Sequence, residues 1–176
     1  MTLAALVFVP APVFSQQGAD HDGNEVKLLS PDKVVVMVFL RRDCPLSSRY
    51  APVIQQISKM YSERAKFWLI FPDKSDSAAD IQKYLSDYHY SLPALRDPEH
   101  TLAKLGHVQI TPEVAVFSNR RLAYDGRIDD WYIELGRARA APTTHELKDA
   151  LDAVLAGKAP ARAEVRGVGC YISDLE

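Results

Sequence analysis

The sequence has few cysteines, only Cys44 and Cys170 among its 176 residues. Two cysteines are too few for a disulfide scaffold or for a zinc site built from thiolates, but they suffice for one redox pair. The five histidines show no metal-ligand spacing, so neither a metal nor a cofactor is expected. The net charge is only −2, so the chain lacks the basic excess that marks nucleic-acid partners.

No apolar run at the N-terminus is long enough to cross a membrane. Residues 3–14 form an apolar run of about 12 residues, whereas a bilayer span needs about 20. That length suits the core of a secretory signal, with Val13 and Ser15 as small residues before a cleavage point, although no basic residue precedes the run. A packed N-terminal strand is the alternative. We expect residues 1–24 to be a signal-like segment and polar linker, and the mature chain to be exported to the periplasm or another extracytoplasmic compartment, without a stable membrane span.

Apolar runs and helical periodicities alternate between residues 25 and 157. The β-branched run at residues 34–40 predicts a strand buried on both faces, and apolar spacings of three and four predict an amphipathic helix over residues 46–65. The overall order indicates an α/β domain with a central mixed sheet flanked by helices. The other predicted elements are a strand at 67–71, a helix opened by a capping box at Ser77–Asp80, a short helix at 97–105, a hairpin of strands 114–118 and 122–124, a helix at 146–155 capped by Thr143 and Thr144, and a C-terminal tail at 158–176.

Cys44 stands where the first buried strand ends and a helix begins. Pro45 suits the first helical position because it has no N–H to leave unpaired. The helix dipole and neighbouring arginines such as Arg41 and Arg42 lower the pKa of a cysteine thiol, while Asp43 acts in the opposite sense. Because the thiolate is the nucleophilic form, Cys44 is the candidate nucleophile.

A second segment, Thr111-Pro112-Glu113, directly precedes the strand at residues 114–118. Proline has no N–H to donate within a central strand, so Pro112 is expected at a bend at the start of this strand. The bond before a proline is also the usual place for a cis peptide. This segment is therefore a second candidate part of the site.

Together these segments resemble the thioredoxin superfamily. In that superfamily the active cysteine follows a central strand and opens a long helix, a proline lies eight residues further on, and a cis-proline faces the cysteine. Here Pro52 lies eight residues after Cys44, and Pro112 corresponds to the cis-proline. Thr111-Pro112-Glu113 and the run DGRIDD at residues 125–130 are similar to exported TlpA-like thioredoxins and to the redoxin branch near the peroxiredoxins of the alkyl hydroperoxide reductase and thiol-specific antioxidant type. The resemblance covers residues 26–157 and implies a thioredoxin-like fold, with a substrate groove beside Cys44 formed by Thr111, Pro112, Pro45 and Arg42.

Several positions depart from the family pattern and limit the reactions and ligands expected at the site. Ser47 stands where a thioredoxin has its second cysteine, so no local disulfide can form. The buried acid of thioredoxins corresponds to Val38. Arg41 stands where peroxiredoxins have a threonine, which argues against peroxide reduction. Ser48 stands where Sco-type copper carriers have a second cysteine, which argues against a copper site.

Cys170 is the second candidate catalytic residue. Two-cysteine peroxiredoxins, which the chain resembles in this respect, keep a resolving cysteine in a C-terminal tail, and Gly167 and Gly169 would let such a tail bend back. Three alternatives remain open. Cys170 resolves an intermediate at Cys44, within one chain or across a homodimer; or a permanent disulfide with Cys44 pins the tail; or both thiols are unpaired.

The function that these features favour is that of a thiol–disulfide or redoxin-type oxidoreductase centred on Cys44. Its partners would be a protein disulfide or a small peroxide, together with an external thiol reductant. A thiol peroxidase is the alternative enzyme. A non-catalytic binding module on the same fold, with a structural Cys44–Cys170 disulfide, is the alternative from another class. The aromatic pair Trp131 and Tyr132 is expected to pack rather than to bind a partner.

Overall fold

The chain folds around a mixed β-sheet whose strands are separated in sequence by helices. The computed structural model describes residues 17–19, 25–29, 33–173 and 175. The strands are β1 Gln17–Ala19, β2 Glu25–Lys27, β3 Val34–Phe39, β4 Ala65–Phe71, β5 Ala94–Arg96, β6 Ile110–Thr111, β7 Glu113–Ser118, β8 Arg121–Gly126, β9 Tyr132–Glu134, β10 Arg137–Ala138, β11 Glu164–Val165 and β12 Cys170–Tyr171. The helices are α1 Pro45–Arg49, α2 Ala51–Met60, α3 Ala78–Asp87, α4 Thr101–Leu105 and α5 Glu146–Leu155.

The central sheet has six strands in the order β11-β8-β7-β3-β4-β5. β3, β4 and β5 run parallel to one another, β7 is antiparallel to β3, and β8 is antiparallel to β7. β11 lies at the edge, parallel to β8. β3 therefore has a neighbour on each side, and all six of its residues are buried. The predicted α/β class, with a central mixed sheet flanked by helices, is confirmed.

Alternation of side chains along β3 divides the core into two layers. The even-numbered residues from Val34 to Val38 face the layer formed by α2, α3 and α5. The odd-numbered residues from Val35 to Phe39 face the layer that contains α4 and the buried side chains of Leu28 and Ile172. Since both faces are covered, an apolar run without polar interruptions is what such a strand requires. Its carboxyl end leads directly to Cys44.

The helix predicted over residues 46–65 is in fact two helices, so the prediction was wrong in its extent. α1 ends at Arg49 and α2 begins at Ala51, with Tyr50 between them. Pro52, in the first turn of α2, has no N–H to donate to the carbonyl four residues earlier, so the helical ladder is interrupted there. Ala65 belongs to β4.

The first residues of α4 and α5 differ from prediction, whereas the start of α3 agrees with it. The capping box of Ser77 and Asp80 at the start of α3 is confirmed. The predicted helix at 97–105 begins only at Thr101, because the buried Asp97 carboxylate stays outside the helix and accepts hydrogen bonds from its first backbone N–H groups. The N-cap of α5 is His145 rather than Thr143 or Thr144.

Both ends of the domain differ from the predicted boundaries. The linker predicted up to residue 24 contains β1, which pairs with β2, whereas the signal-like run at residues 3–14 lies outside the described residues. The segment predicted as a tail is built into the fold, since β11 extends the central sheet and β12 pairs with β6. Strands of two residues show no periodicity, so the sequence alone could not reveal them. Within the described ranges, no helix is both long and apolar enough to cross a membrane.

We predict that Gly126→Ala separates β11 from β8. A Cβ at Gly126 would lie 2.0 Å from the carbonyl oxygen of Val165, and the backbone there has a φ of +136°. We expect the free energy of unfolding, measured by urea denaturation, to fall by about 2–4 kcal/mol from overpacking and backbone strain together. Gly136→Ala is the control, because Gly136 also has a positive φ, +82°, but no atom lies within 4 Å of its Cβ position. Equal losses in the two variants would contradict this account.

Candidate functional site

Cys44 is positioned by the end of β3 and the start of α1. It is the N-cap of α1, with an extended backbone (φ −87°, ψ 112°), and Pro45 follows in the first turn. The predicted place of Cys44 at a strand-to-helix junction is confirmed. The residue is only 1% exposed, whereas Pro45 beside it is exposed. The candidate nucleophile is therefore covered.

The segment before β7 faces this cysteine. The Thr111–Pro112 peptide bond is cis, and Thr111 is completely buried. The thiol of Cys44 donates a hydrogen bond to the carbonyl oxygen of Thr111, with the sulfur and oxygen 3.2 Å apart. The structure thus brings together Cys44 and Thr111-Pro112, as expected from the sequence.

The C-terminal strand β12 brings the second cysteine to the same place. Cys170 is the direct partner of Thr111 in the antiparallel pair of β12 and β6. The hydroxyl of Thr111 donates to the carbonyl oxygen of Cys170 at 3.4 Å. Both cysteines are free thiols here. Thr111 therefore contacts Cys44 through its carbonyl and holds Cys170 through its pairing.

The two thiols have pKa values shifted in opposite directions. Burial by itself would raise the pKa of Cys44, but hydrogen bonds from the Cys170 thiol, from Ser47 and from the backbone of Leu46 outweigh it, so the pKa is lowered. Burial, together with the hydrogen bond to Cys44 and the charge of Cys44, raises the pKa of Cys170 to about 12. Cys44 is therefore the more readily ionised thiol, and Cys170 acts as its hydrogen-bond donor.

The two arginines before Cys44 have different partners. Arg42, which stays a predicted residue of the substrate groove, pairs with the buried Asp76, with Nε 2.6 Å from Oδ1. Arg41 donates a hydrogen bond of 2.8 Å to the carbonyl oxygen of Tyr171, on the strand that carries Cys170. Its charge lowers the pKa of Cys170. Arg41 is thus the arginine that binds β12, the strand that carries Cys170.

Comparison with known proteins identifies the family and the fold. The sequence model of the thioredoxin-like family matches residues 32–121, just over half of the chain. The chain belongs to the thioredoxin-like family. No curated protein matches the sequence.

Solved structures share the thioredoxin-like fold at low identity. An uncharacterized conserved protein from Geobacillus kaustophilus is 24% identical with a TM-score of 0.74, covering 89% of this chain and 86% of that one. A hypothetical protein from Sinorhizobium meliloti is 23% identical with a TM-score of 0.73, covering 89% and 88%. A secreted disulfide oxidoreductase from Mycobacterium tuberculosis is 17% identical with a TM-score of 0.55, covering 80% and 94%. These similarities establish the fold.

Within this thioredoxin-like domain, the thiol that faces Cys44 comes from the C-terminal strand rather than from the same helix. Ser47, at the position of the usual second cysteine, is fully buried, and its hydroxyl accepts a hydrogen bond from the backbone N–H of Arg41 at 3.2 Å. It thereby fastens the turn that precedes Cys44. In the described part of the chain, no three or more His, Cys, Asp or Glu side chains are grouped to hold a metal ion.

Sequence reasoning included Glu113 and Asp125 within motifs but did not predict that both carboxylates are buried near the C-terminal strand. Glu113 is fully buried, and its Oε1 accepts a hydrogen bond of 2.9 Å from the backbone N–H of Gly167. Asp125 is buried on the adjacent strand β8. Burial raises the pKa of both carboxyl groups. The available signal was a charged residue directly after Pro112, at the start of an otherwise apolar strand.

The aromatic pair after the DGRIDD run packs next to α1. The Tyr50 ring contacts Trp131 and Tyr132, with centroids 5.5 Å and 5.9 Å apart. The Tyr50 hydroxyl donates a hydrogen bond of 2.6 Å to Asp129. These contacts agree with the packing role expected for Trp131 and Tyr132, and they anchor the residue that separates α1 from α2.

We predict that Gly169→Ala lifts β12 from β6 and uncovers Cys44. A Cβ at Gly169 would lie 2.1 Å from the Thr111 carbonyl oxygen, the same atom that accepts the Cys44 hydrogen bond. Alkylation of Cys44 by iodoacetamide at fixed pH should accelerate by about tenfold or more, as expected for overpacking of this contact. Gly167→Ala is the milder control, since its nearest neighbour is a side-chain atom of Arg127 at 3.1 Å. An unchanged rate in Gly169→Ala would show that β12 does not cover Cys44.

We also predict that Cys170→Ala raises the pKa of Cys44. The Cys170 thiol is a donor that stabilises the Cys44 thiolate, so its loss should shift thiolate formation to higher pH. The measurement is the ultraviolet absorbance of the thiolate as a function of pH. Cys170→Ser keeps a hydroxyl donor and should shift the midpoint less. A midpoint that is the same in both variants and in the wild type would refute the role of this hydrogen bond.

Proposed function

We propose that this protein is a thiol–disulfide oxidoreductase in which Cys44 attacks a substrate disulfide and Cys170 resolves the product. The observation that carries the proposal is the pairing of Cys170 with Thr111 beside the Cys44 thiol. This pairing sets a thiol of lowered pKa against one of raised pKa. Such a pair is suited to two successive exchange steps.

In the first step, the Cys44 thiolate attacks one sulfur of the substrate disulfide. A bond forms between Cys44 and that sulfur, and the other substrate sulfur leaves as a thiolate that takes up a proton. Because Cys44 is only 1% exposed and β12 pairs with β6 beside it, we expect an external disulfide to reach Cys44 only after β12 separates from β6. The lowered pKa increases the fraction of Cys44 that is nucleophilic once it is reached.

In the second step, β12 returns and Cys170 attacks the sulfur of Cys44. The Cys44–Cys170 disulfide forms, and the second substrate sulfur leaves as a thiolate that takes up the proton released by Cys170. The substrate thereby gains two electrons and two protons, which the two cysteines lose. Two causes of the raised Cys170 pKa, the charge of Cys44 and the hydrogen bond to it, disappear once Cys44 is in the mixed disulfide. An external thiol reductant then restores both thiols.

Resolution takes place within one chain, since both thiols meet in a single subunit. Protein disulfides are the proposed substrates, in keeping with the disulfide oxidoreductase among the structures of the same fold. That protein is secreted, which supports export of this chain, in agreement with its signal-like run. A small peroxide is the less favoured oxidant, because Arg41 directs its guanidinium to Tyr171, Asp43 and Asp73.

We predict that Cys170→Ser traps the mixed disulfide and that the wild type does not. With oxidised glutathione as the probe, mass spectrometry should find the Cys44–glutathione adduct in Cys170→Ser and the Cys44–Cys170 disulfide in the wild type. Cys44→Ser is the matched control, and its remaining thiol should form much less adduct at neutral pH, because burial, the largest cause of the raised pKa of Cys170, does not depend on Cys44. Equal adduct formation at Cys170 in that control would contradict the assigned roles.

The same samples separate the alternative functions. A Cys44–Cys170 bond with a reduction potential below roughly −300 mV would indicate a structural disulfide in a non-catalytic module. Oxidation of Cys44 by hydrogen peroxide that greatly outpaces its reaction with disulfides would identify a thiol peroxidase. A bond with a potential above about −270 mV, together with trapping in Cys170→Ser, supports the proposal.

A further inference from the structure

The segment that joins β11 to β12 carries the groups that balance two buried carboxylates. Arg166 Nη1 lies 3.7 Å from Glu113 Oε2 and 3.9 Å from Asp125 Oδ2. Within the described chain, neither of these two oxygens accepts a hydrogen bond. Two further titratable side chains lie nearby: Glu164, 2.9 Å from Arg166 Nη2, and His107, 3.9 Å from Asp125. The Arg166 guanidinium is therefore a cation that faces both Glu113 and Asp125.

Glu113 holds the chain immediately before the second cysteine. Its Oε1 accepts the backbone N–H of Gly167, three residues before Cys170. Arg166 also donates to the carbonyl oxygen of His107 at 2.9 Å, which fastens the same segment to the loop before β6. Beyond Cys170, the backbone N–H of Ile172 bonds the carbonyl oxygen of Gln109 at 2.9 Å. Cys170 is thus held from both sides, and Glu113 supplies the fully buried carboxyl group among these contacts.

A buried carboxylate is costly unless a donor and a cation compensate it. For Glu113 the tail segment supplies the cation, the guanidinium of Arg166, and one donor, the N–H of Gly167, while the backbone of Gln109 and Ile110 supplies further donors. Separation of β12 from β6 that carried this segment away would leave the Glu113 charge without that cation and that donor. The same interaction therefore favours the position of the tail in which Cys170 meets Cys44.

We infer that Glu113 is a positioning residue for the resolving cysteine, acting through Gly167 and Arg166. It lies one residue after the cis-proline and does not itself touch the thiols in any contact described above. Its effect is to raise the effective concentration of the Cys170 thiol at Cys44, and hence to favour the internal disulfide over mixed disulfides. This inference rests on the proposed function, since it concerns the resolution step.

The test is the equilibrium between the Cys44–Cys170 disulfide and glutathione, measured at fixed pH on the full chain. Glu113→Gln keeps an oxygen that can accept the Gly167 N–H but removes the charge. We expect its equilibrium constant for the internal disulfide to fall by about tenfold or more, as is typical when a charged partner of a buried contact is lost. Glu164→Gln is the matched control, because it removes an exposed carboxylate from the same arginine and should stay within about twofold of the wild type.

Arg166→Met provides a second variant in case Glu113→Gln folds poorly. Arg166 is partly exposed, so a substitution there should disturb folding less. It should lower the same equilibrium constant, and the double variant should lose less than the product of the two single effects, because both substitutions remove the interaction between Glu113 and Arg166. If the equilibrium constants for the internal disulfide in Glu113→Gln and Arg166→Met both stay within twofold of the wild-type value, the positioning role is overturned and the proposed function is not. This holds whatever the free energies of unfolding of the two variants. A wild type that forms no Cys44–Cys170 disulfide would overturn the proposed function itself.

Discussion

The antiparallel pairing of β12 with β6 is the constraint on which the site depends. It sets Cys170 opposite Thr111, whose carbonyl accepts the hydrogen bond of Cys44. One backbone segment therefore determines the distance between the two thiols. The close approach requires glycine at position 169, because any Cβ there would collide with that carbonyl. In a local dithiol, one helical turn brings the two sulfurs together. Cys44 and Cys170 come together only when the whole domain has folded.

Electrostatics gives the two sulfurs different tasks. Cys44 has several donors around it, namely Cys170, Ser47 and the start of α1, and these outweigh the cost of burial. Cys170 has the opposite balance, since burial and the neighbouring negative charge both favour its protonated form. The difference persists only while the tail is docked. Because the tail also brings Arg166 to the buried acids Glu113 and Asp125, the position of Cys170 is coupled to charge balance some residues away.

Prediction from sequence was successful where a pattern is local. The buried run of β3, the capping box of α3 and the junction at Cys44 were each readable from adjacent residues. It failed where a partner lies far away in sequence. The ion pair of Arg42 is an example, because its carboxylate partner Asp76 follows β4, beyond the reach of a local pattern.

The sequence by itself determined the α/β class, the burial of β3 on both faces and the place of Cys44 at a strand-to-helix junction. Hydrophobic period and the residues at strand and helix ends are sufficient for these, since they reflect interactions between near neighbours. Only the tertiary structure decided that the last residues belong to the fold, that Arg41 contacts them, and that Glu113 is buried beneath them. Two-residue strands have no period of their own. Their pairing is stabilised by contacts between segments distant in the chain, which exist only once the central sheet has formed.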